Sequence, residues 1–252
     1  MTNTLPNITA KQKEILRLIY TYRFLNRTQI QTLLNHKDKR RIISWLKDLR
    51  EKQYLDWHYN ATDFMTKSQP AIYYLALNGI RHLRQLDKQL NEELRKRYKD
   101  SDRQQVFIDR CLLIADCVIA LYVKSRDDLK YMCVLPTEYV ASDHSFAELK
   151  PQLYFTKQQD TEIKEYFLEV IDQSVPRYQL RQRLNDYMDY LTSVDHTIIT
   201  LIICPSVADL VYIKRRWRKI LEDYDSDDFV LRLATVEKVK AQGVTNEIWE
   251  DV

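Results

Sequence analysis

Two sets of charged side chains in this chain of 252 residues could do chemistry. The first is cationic and lies in the run HKDKRRIISWLKDLREK, which the spacing predicts as one helix over Lys37–Lys52. Placed at helical steps, Ile42, Ile43, Trp45, Leu46 and Leu49 fall on one side, while Lys37, Arg40, Arg41, Ser44 and Lys47 fall on the other. The apolar side suits a core. The other, with Lys39 at the helix start, offers ammonium, guanidinium and hydroxyl donors to phosphate oxygens and base edges. The second set is acidic: Glu148, Glu169 and Asp172 are carboxylates of the kind that hold a hard cation and activate water for phosphodiester cleavage.

The elements that would position these groups follow from the bulk properties. The chain is long enough for two domains, with 45% hydrophobic and 30% charged residues. It has no apolar run of membrane-span length, and the N-terminus lacks the apolar stretch of a secretory signal, so a cytoplasmic protein is expected. Residues 1–100 carry 20 Lys+Arg against 10 Asp+Glu, a net of +10, whereas residues 101–252 carry 19 against 26, a net of −7. That asymmetry points the first half, and not the second, at a polyanion. Only Gly79 and Gly243 occur, which excludes the glycine-rich phosphate loops of nucleotide-driven enzymes. Cys111, Cys117, Cys133 and Cys204 lie in apolar segments without metal spacing and read as buried thiols. His36, His58, His82, His144 and His196 are too scattered for a zinc hydrolase. No cofactor is expected.

In chain order, Thr9 with Gln12 marks a helix start, and Ile15, Leu16, Leu18, Ile19 and Tyr22 supply its apolar face. Asn26 or Thr28 caps a short second helix through Leu34, and the basic helix follows after Asn35-His36. Strands are expected at 54–59 and 71–76, joined by a tip that carries Lys67. Three helices and then a hairpin spell a winged helix-turn-helix. A charged helix over 78–98 bears Leu83, Leu86, Leu90 and Leu94, a stripe that either packs on its own domain or joins two copies as a homodimer. Residues 99–102 read as the boundary between a domain at 1–100 and a second at 101–252.

The second half reads as a helix over 104–123, strands at 130–135, 152–156 and 166–171, a helix over 177–191, a strand at 197–204, a helix over 207–224 and a strand at 229–235. The fold class is therefore α+β followed by α/β, the latter with a mixed sheet. Its element order matches the restriction-endonuclease-like core, whose strands carry a Pro-Asp and then an acid-x-Lys. Here Pro151-Gln152 and Glu169-Val170-Ile171 stand at those points, with an amide for the first carboxylate and an isoleucine for the lysine. An inactive scaffold with no catalytic residue and no metal is expected. The run Lys214, Arg215, Arg216, Arg218 and Lys219 reads as the solvated side of its helix, with supplementary phosphate contacts the minor alternative.

The winged helix, then KPQLYF, then YFLEVIDQSVPRYQLRQRLNDYMDYL, together resemble the replication-relaxation family of plasmid and mobile-element proteins. On that resemblance Pro151 matches the family proline, Gln152 departs from its acid, Glu169 falls on its glutamate, and Asp172 sits one place after its aspartate. Arg183, Tyr187 and Tyr190 resemble its helix positions. The resemblance implies a DNA-binding protein that serves plasmid replication, relaxation or transfer, or transcription regulation of these.

The expected function is therefore sequence-specific binding of double-stranded DNA. Arg40, Arg41, Ser44 and Lys47 would enter the major groove, Lys37 and Lys39 would hold phosphate, and Lys67 would touch the backbone or minor groove. Two alternatives stand beside it: a metal-dependent nuclease using Glu148, Glu169 and Asp172, and a protein-interaction adaptor whose winged helix docks on a partner while the acidic half recruits another protein.

Overall fold

The computed structural model describes residues 4–59, 69–87, 90–125, 128–138, 145–224 and 229–252. The chain forms two compact units, residues 1–115 and 116–252. Residues 99–102, expected to separate the domains, lie inside the first unit. There the buried carboxylate of Asp100 accepts from Nε and Nη2 of Arg23 at 2.8 and 2.6 Å, tying this stretch to the end of the first helix.

The first unit begins with α1 (Ala10–Tyr22), opened by the reciprocal capping box of Thr9 and Gln12. A two-residue strand β1 (Leu25–Asn26) leads into α2 (Arg27–Leu33), where Asn26 and Gln29 repeat the same box. The basic helix α3 spans Lys39–Glu51. It starts two residues later than predicted because Asp38 is its N-cap, accepting from the amides of Arg40 and Arg41 at 2.8 and 3.2 Å. Strands β2 (Leu55–His58) and β3 (Ile72–Leu75) pair antiparallel, and β1 adds to the other edge of β3. Ile15, Leu16, Ile19, Ile30, Ile42, Leu46 and Leu49 from the three helices are all essentially sealed from solvent. The Asp48 side chain on α3 accepts from Gln12 of α1 and from Lys52, bonds that hold its carboxyl below the usual range.

The long charged helix expected over 78–98 is two helices, α4 (Leu77–Leu86) and α5 (Asn91–Arg97). The leucine stripe is correspondingly split: Leu83 and Leu94 are buried within the unit, while Leu86 is exposed. Gly79 lies near the start of α4 because a side chain there would meet the backbone, a Cβ falling 2.3 Å from the Tyr54 carbonyl oxygen. In the protein Gly79→Ala is expected to lower stability by about 1–3 kcal/mol, since overpacking outweighs the gain in helix propensity of roughly 1 kcal/mol. A urea midpoint that is unchanged or higher would contradict this close approach.

Helix α6 (Gln105–Lys124) contains the division between the units. The second unit has six strands in the order β4-β5-β6-β7-β8-β9. These are β4 (Leu129–Val134), β5 (Leu153–Gln159), β6 (Glu162–Val170), β7 (Ile198–Cys204), β8 (Leu231–Thr235) and β9 (Glu250–Asp251). Pairing is parallel for β6–β7 and β7–β8 and antiparallel elsewhere. The two parallel joins each need a crossover, supplied by α7 (Arg177–Leu191) and α8 (Val207–Leu221). These helices bury Leu184, Tyr187, Ile213 and Trp217 against Phe167, Ile202 and Leu233 of the sheet. The mixed α/β character agrees with the sequence. Helix α9 (Val236–Gln242) and strand β9 extend the expected order.

Candidate nucleic-acid interface

The exposed face of α3 gathers most of the predicted cations. Lys39, Arg40, Arg41, Ser44 and Lys47 are all exposed along the helix, and Lys37 is exposed just before it. Lys67 and the rest of the hairpin tip lie outside the described residues. Each cation has a distinct setting. Because Asp38 occupies two of the first free amides, an anion at this end would be met by the side chains of Lys37 and Lys39 and less by the backbone. Arg41 stands with its guanidinium carbon 5.9 Å from the centre of the Trp45 ring, and the His36 ring packs edge-on to that indole at 5.1 Å. Lys47 and Glu51 are 3.8 Å apart and both well exposed, so water and salt leave little attraction between them.

One predicted orientation is corrected. Ile43, assigned from its spacing to the apolar side, is 45% exposed, against 0% for Ile42 and 1% for Leu46. The buried stripe is Ile42, Leu46 and Leu49. Ile43 lies beyond its edge, three residues after Arg40 and four before Lys47. Trp45, at the other margin, is half-buried. Arg50, not singled out from sequence, sits over the Trp57 ring of β2 at 3.3 Å.

The acidic set of the second unit is arranged differently from a cation cage. Glu169, on β6 and 3% exposed, accepts through Oε1 from the Tyr187 hydroxyl at 2.6 Å and from Nη2 of Arg183. Arg183 also donates to the carbonyls of Leu149 and Lys150. Burial lowers the pKa of Arg183, but the charge of Glu169, with Tyr187, outweighs this and raises it overall. A permanent guanidinium therefore sits on the glutamate, filling the electrostatic role that a bound cation would take. Gln152 exchanges two hydrogen bonds with the backbone of Val170, donating to its carbonyl at 3.2 Å and accepting from its amide at 3.0 Å. The amide is thus a ladder extension, a task for which an ionised carboxylate lacks the donor. Asp172 accepts from the amide and hydroxyl of Ser174. Glu148 is exposed. Among the described residues no group of three or more His, Cys, Asp and Glu could hold a metal ion.

Burial pushes the thiols up, Cys111 to about 11 and Cys117, Cys133 and Cys204 to about 12, so they stay protonated at neutral pH. In α8, Arg215, Arg218 and Lys219 are exposed as expected and Trp217 is buried, but Arg216 and Lys214 are half-buried, Lys214 donating to the Asp251 carbonyl at 2.8 Å. Among the described residues no helix is long and apolar enough to cross a membrane.

These features define a two-unit α/β protein with a basic helix in its first unit and a sheet-borne Glu–Arg–Tyr cluster in its second. The replication-relaxation family model matches residues 16–201, and the chain belongs to that family. No curated protein matches it.

Proposed function

We propose that the protein is a sequence-specific binder of double-stranded DNA, acting in the replication, transfer or transcription regulation of a plasmid or other mobile element. In this reading the first unit is a winged helix-turn-helix, with α2 and α3 as the paired helices and the β2–β3 hairpin as the wing. The observation that carries it is the outer face of α3: five exposed cations and a serine on and just before one helix that is preceded by a short capped helix. Such a face meets phosphates with its lysines and base edges with its arginines. Family membership supports a role tied to DNA maintenance.

The second unit, in this reading, is a restriction-endonuclease-like scaffold that does not cut. Support comes from the engagement of Glu169 by Arg183 and Tyr187, and from the ladder role of Gln152. Its acidic half is left to a protein partner or to no partner, and DNA contact belongs to the first unit.

The test is Arg41→Ala in the full chain, footprinted on a DNA site selected by the wild-type protein. A loss of about 1–3 kcal/mol, with relaxed preference at one base pair, is expected. Unchanged affinity and specificity would show that α3 is not the reader.

A further inference from the structure

Ile43 is the large apolar residue that α3 leaves exposed among its described residues. The helix is already anchored by Ile42, Leu46 and Leu49, all buried, and Ile43 adds little to that core at 45% exposure. Of its four neighbours one turn away, Leu46, three residues after, is buried, while Lys39, four before, Arg40, three before, and Lys47, four after, are charged; Ser44 adjoins it. Lys39, Arg40, Ser44 and Lys47 are all exposed. An isoleucine bordered by cations on its exposed side makes a poor centre for a protein contact, where charged residues are depleted. It fits a surface that is anionic at its edges and carries an isolated apolar group within. The major groove of DNA is such a surface, because thymine alone among the four bases presents a methyl group there, beside its O4 acceptor.

We propose that Ile43 reads the 5-methyl group of thymine in the major groove. The inference rests on the reading of α3 as the DNA-facing helix and adds the base class that one of its positions selects. Phosphate and guanine contacts would come from the flanking lysines and arginines, while Ile43 supplies discrimination that a hydrogen bond cannot give. Branching at Cβ holds its side chain in one dominant helical rotamer, so little freedom is lost when the methyl groups meet.

The experiment uses the full chain and a duplex recovered from a randomised pool, made once with thymine and once with uracil throughout. Uracil keeps every hydrogen-bonding group and lacks only the methyl. Wild type is expected to bind the uracil duplex about four-fold more weakly for each thymine read, the factor that one buried methyl supplies. Ile43→Ala should bind the two duplexes with a ratio near one, and Ile43→Val should keep most of the wild-type ratio. Because the residue is exposed, both variants should fold, which matching circular dichroism and melting curves would confirm. Equal wild-type binding to both duplexes would overturn the inference and leave DNA reading by α3 intact. An equal penalty in wild type and Ile43→Ala would also overturn it, since the methyl would then act through DNA shape or another residue. Failure to recover any duplex from the pool would overturn the DNA-reading proposal itself, and this inference with it.

Discussion

Replacing Glu169 by alanine is expected to destabilise the protein by about 3–5 kcal/mol, the range for breaking a buried ion pair by removing one partner. Its carboxylate is 4% exposed and its partner guanidinium on Arg183 is 27% exposed, so solvent can reach only the arginine's edge. The change strips Arg183 of its counterion and the buried Tyr187 hydroxyl of an acceptor 2.6 Å away. It also cuts the polar tie between β6 and α7, the helix that makes the crossover to β7, and leaves their apolar packing. Glu169→Gln keeps an acceptor oxygen but loses the charge, and its cost should be smaller. With domain stabilities of about 5–15 kcal/mol, the alanine variant should unfold well before wild type in denaturant. A shift below about 0.5 kcal/mol would mean that the cluster does not hold the unit together. Wild type and Glu169→Gln serve a nicking assay with magnesium or manganese, in which equal background from both is expected. Cleavage by wild type that Glu169→Gln abolishes would make the second unit an enzyme.

The second large effect is on binding. Lys39→Ala combined with Lys47→Ala removes two exposed cations from the outer face of α3 without touching the buried stripe. If both meet phosphates, the slope of log affinity against log salt should fall by about 1.8, near 0.9 for each contact. Affinity near 0.1 M salt should drop by roughly thirty-fold to a thousand-fold, at about 1–2 kcal/mol per charge-assisted contact. Lys47 faces Glu51 at 3.8 Å with both groups exposed, so its removal should leave stability within about 0.5 kcal/mol of wild type. An unchanged salt slope would place the phosphate contacts elsewhere.

Most of this fold was legible because its signals are local. The capping boxes Thr9–Gln12 and Asn26–Gln29 each lie within four residues, and α7 runs over the predicted 177–191. The β2–β3 hairpin and strands β4 to β8 of the second sheet fell within a few residues of their predicted places, whereas β9 had none. Signals that depend on distant partners were not legible. Strand β1 is two residues long and exists only because β3 pairs with it, 46 residues on for Asn26 and Ile72. The break between α4 and α5 interrupts a leucine spacing that is itself continuous. Asp100 looked like linker because its acidity is obvious and its bond to Arg23, 77 residues earlier, is not.

The sites divide in the same way. Exposure of the α3 cations follows from helical period alone and could be read directly. Ile43 could have been placed correctly by noticing that three of its four one-turn neighbours, Lys39, Arg40 and Lys47, are charged. Glu169 and Arg183 were each singled out, but their pairing, 14 residues apart across a strand and a helix, became visible only in the folded chain. The same holds for Gln152, whose side chain serves the backbone of Val170.

Binding through α3 is tested most directly by selecting duplexes from a fully randomised pool with the purified full chain at low salt. The expected result is recovery of a recurrent sequence, with affinity falling steeply as salt is raised, and loss of that enrichment when Arg40, Arg41 and Lys47 are all changed to alanine. Recovery of no recurrent sequence, or the same sequence from the triple variant at undiminished affinity, would contradict it.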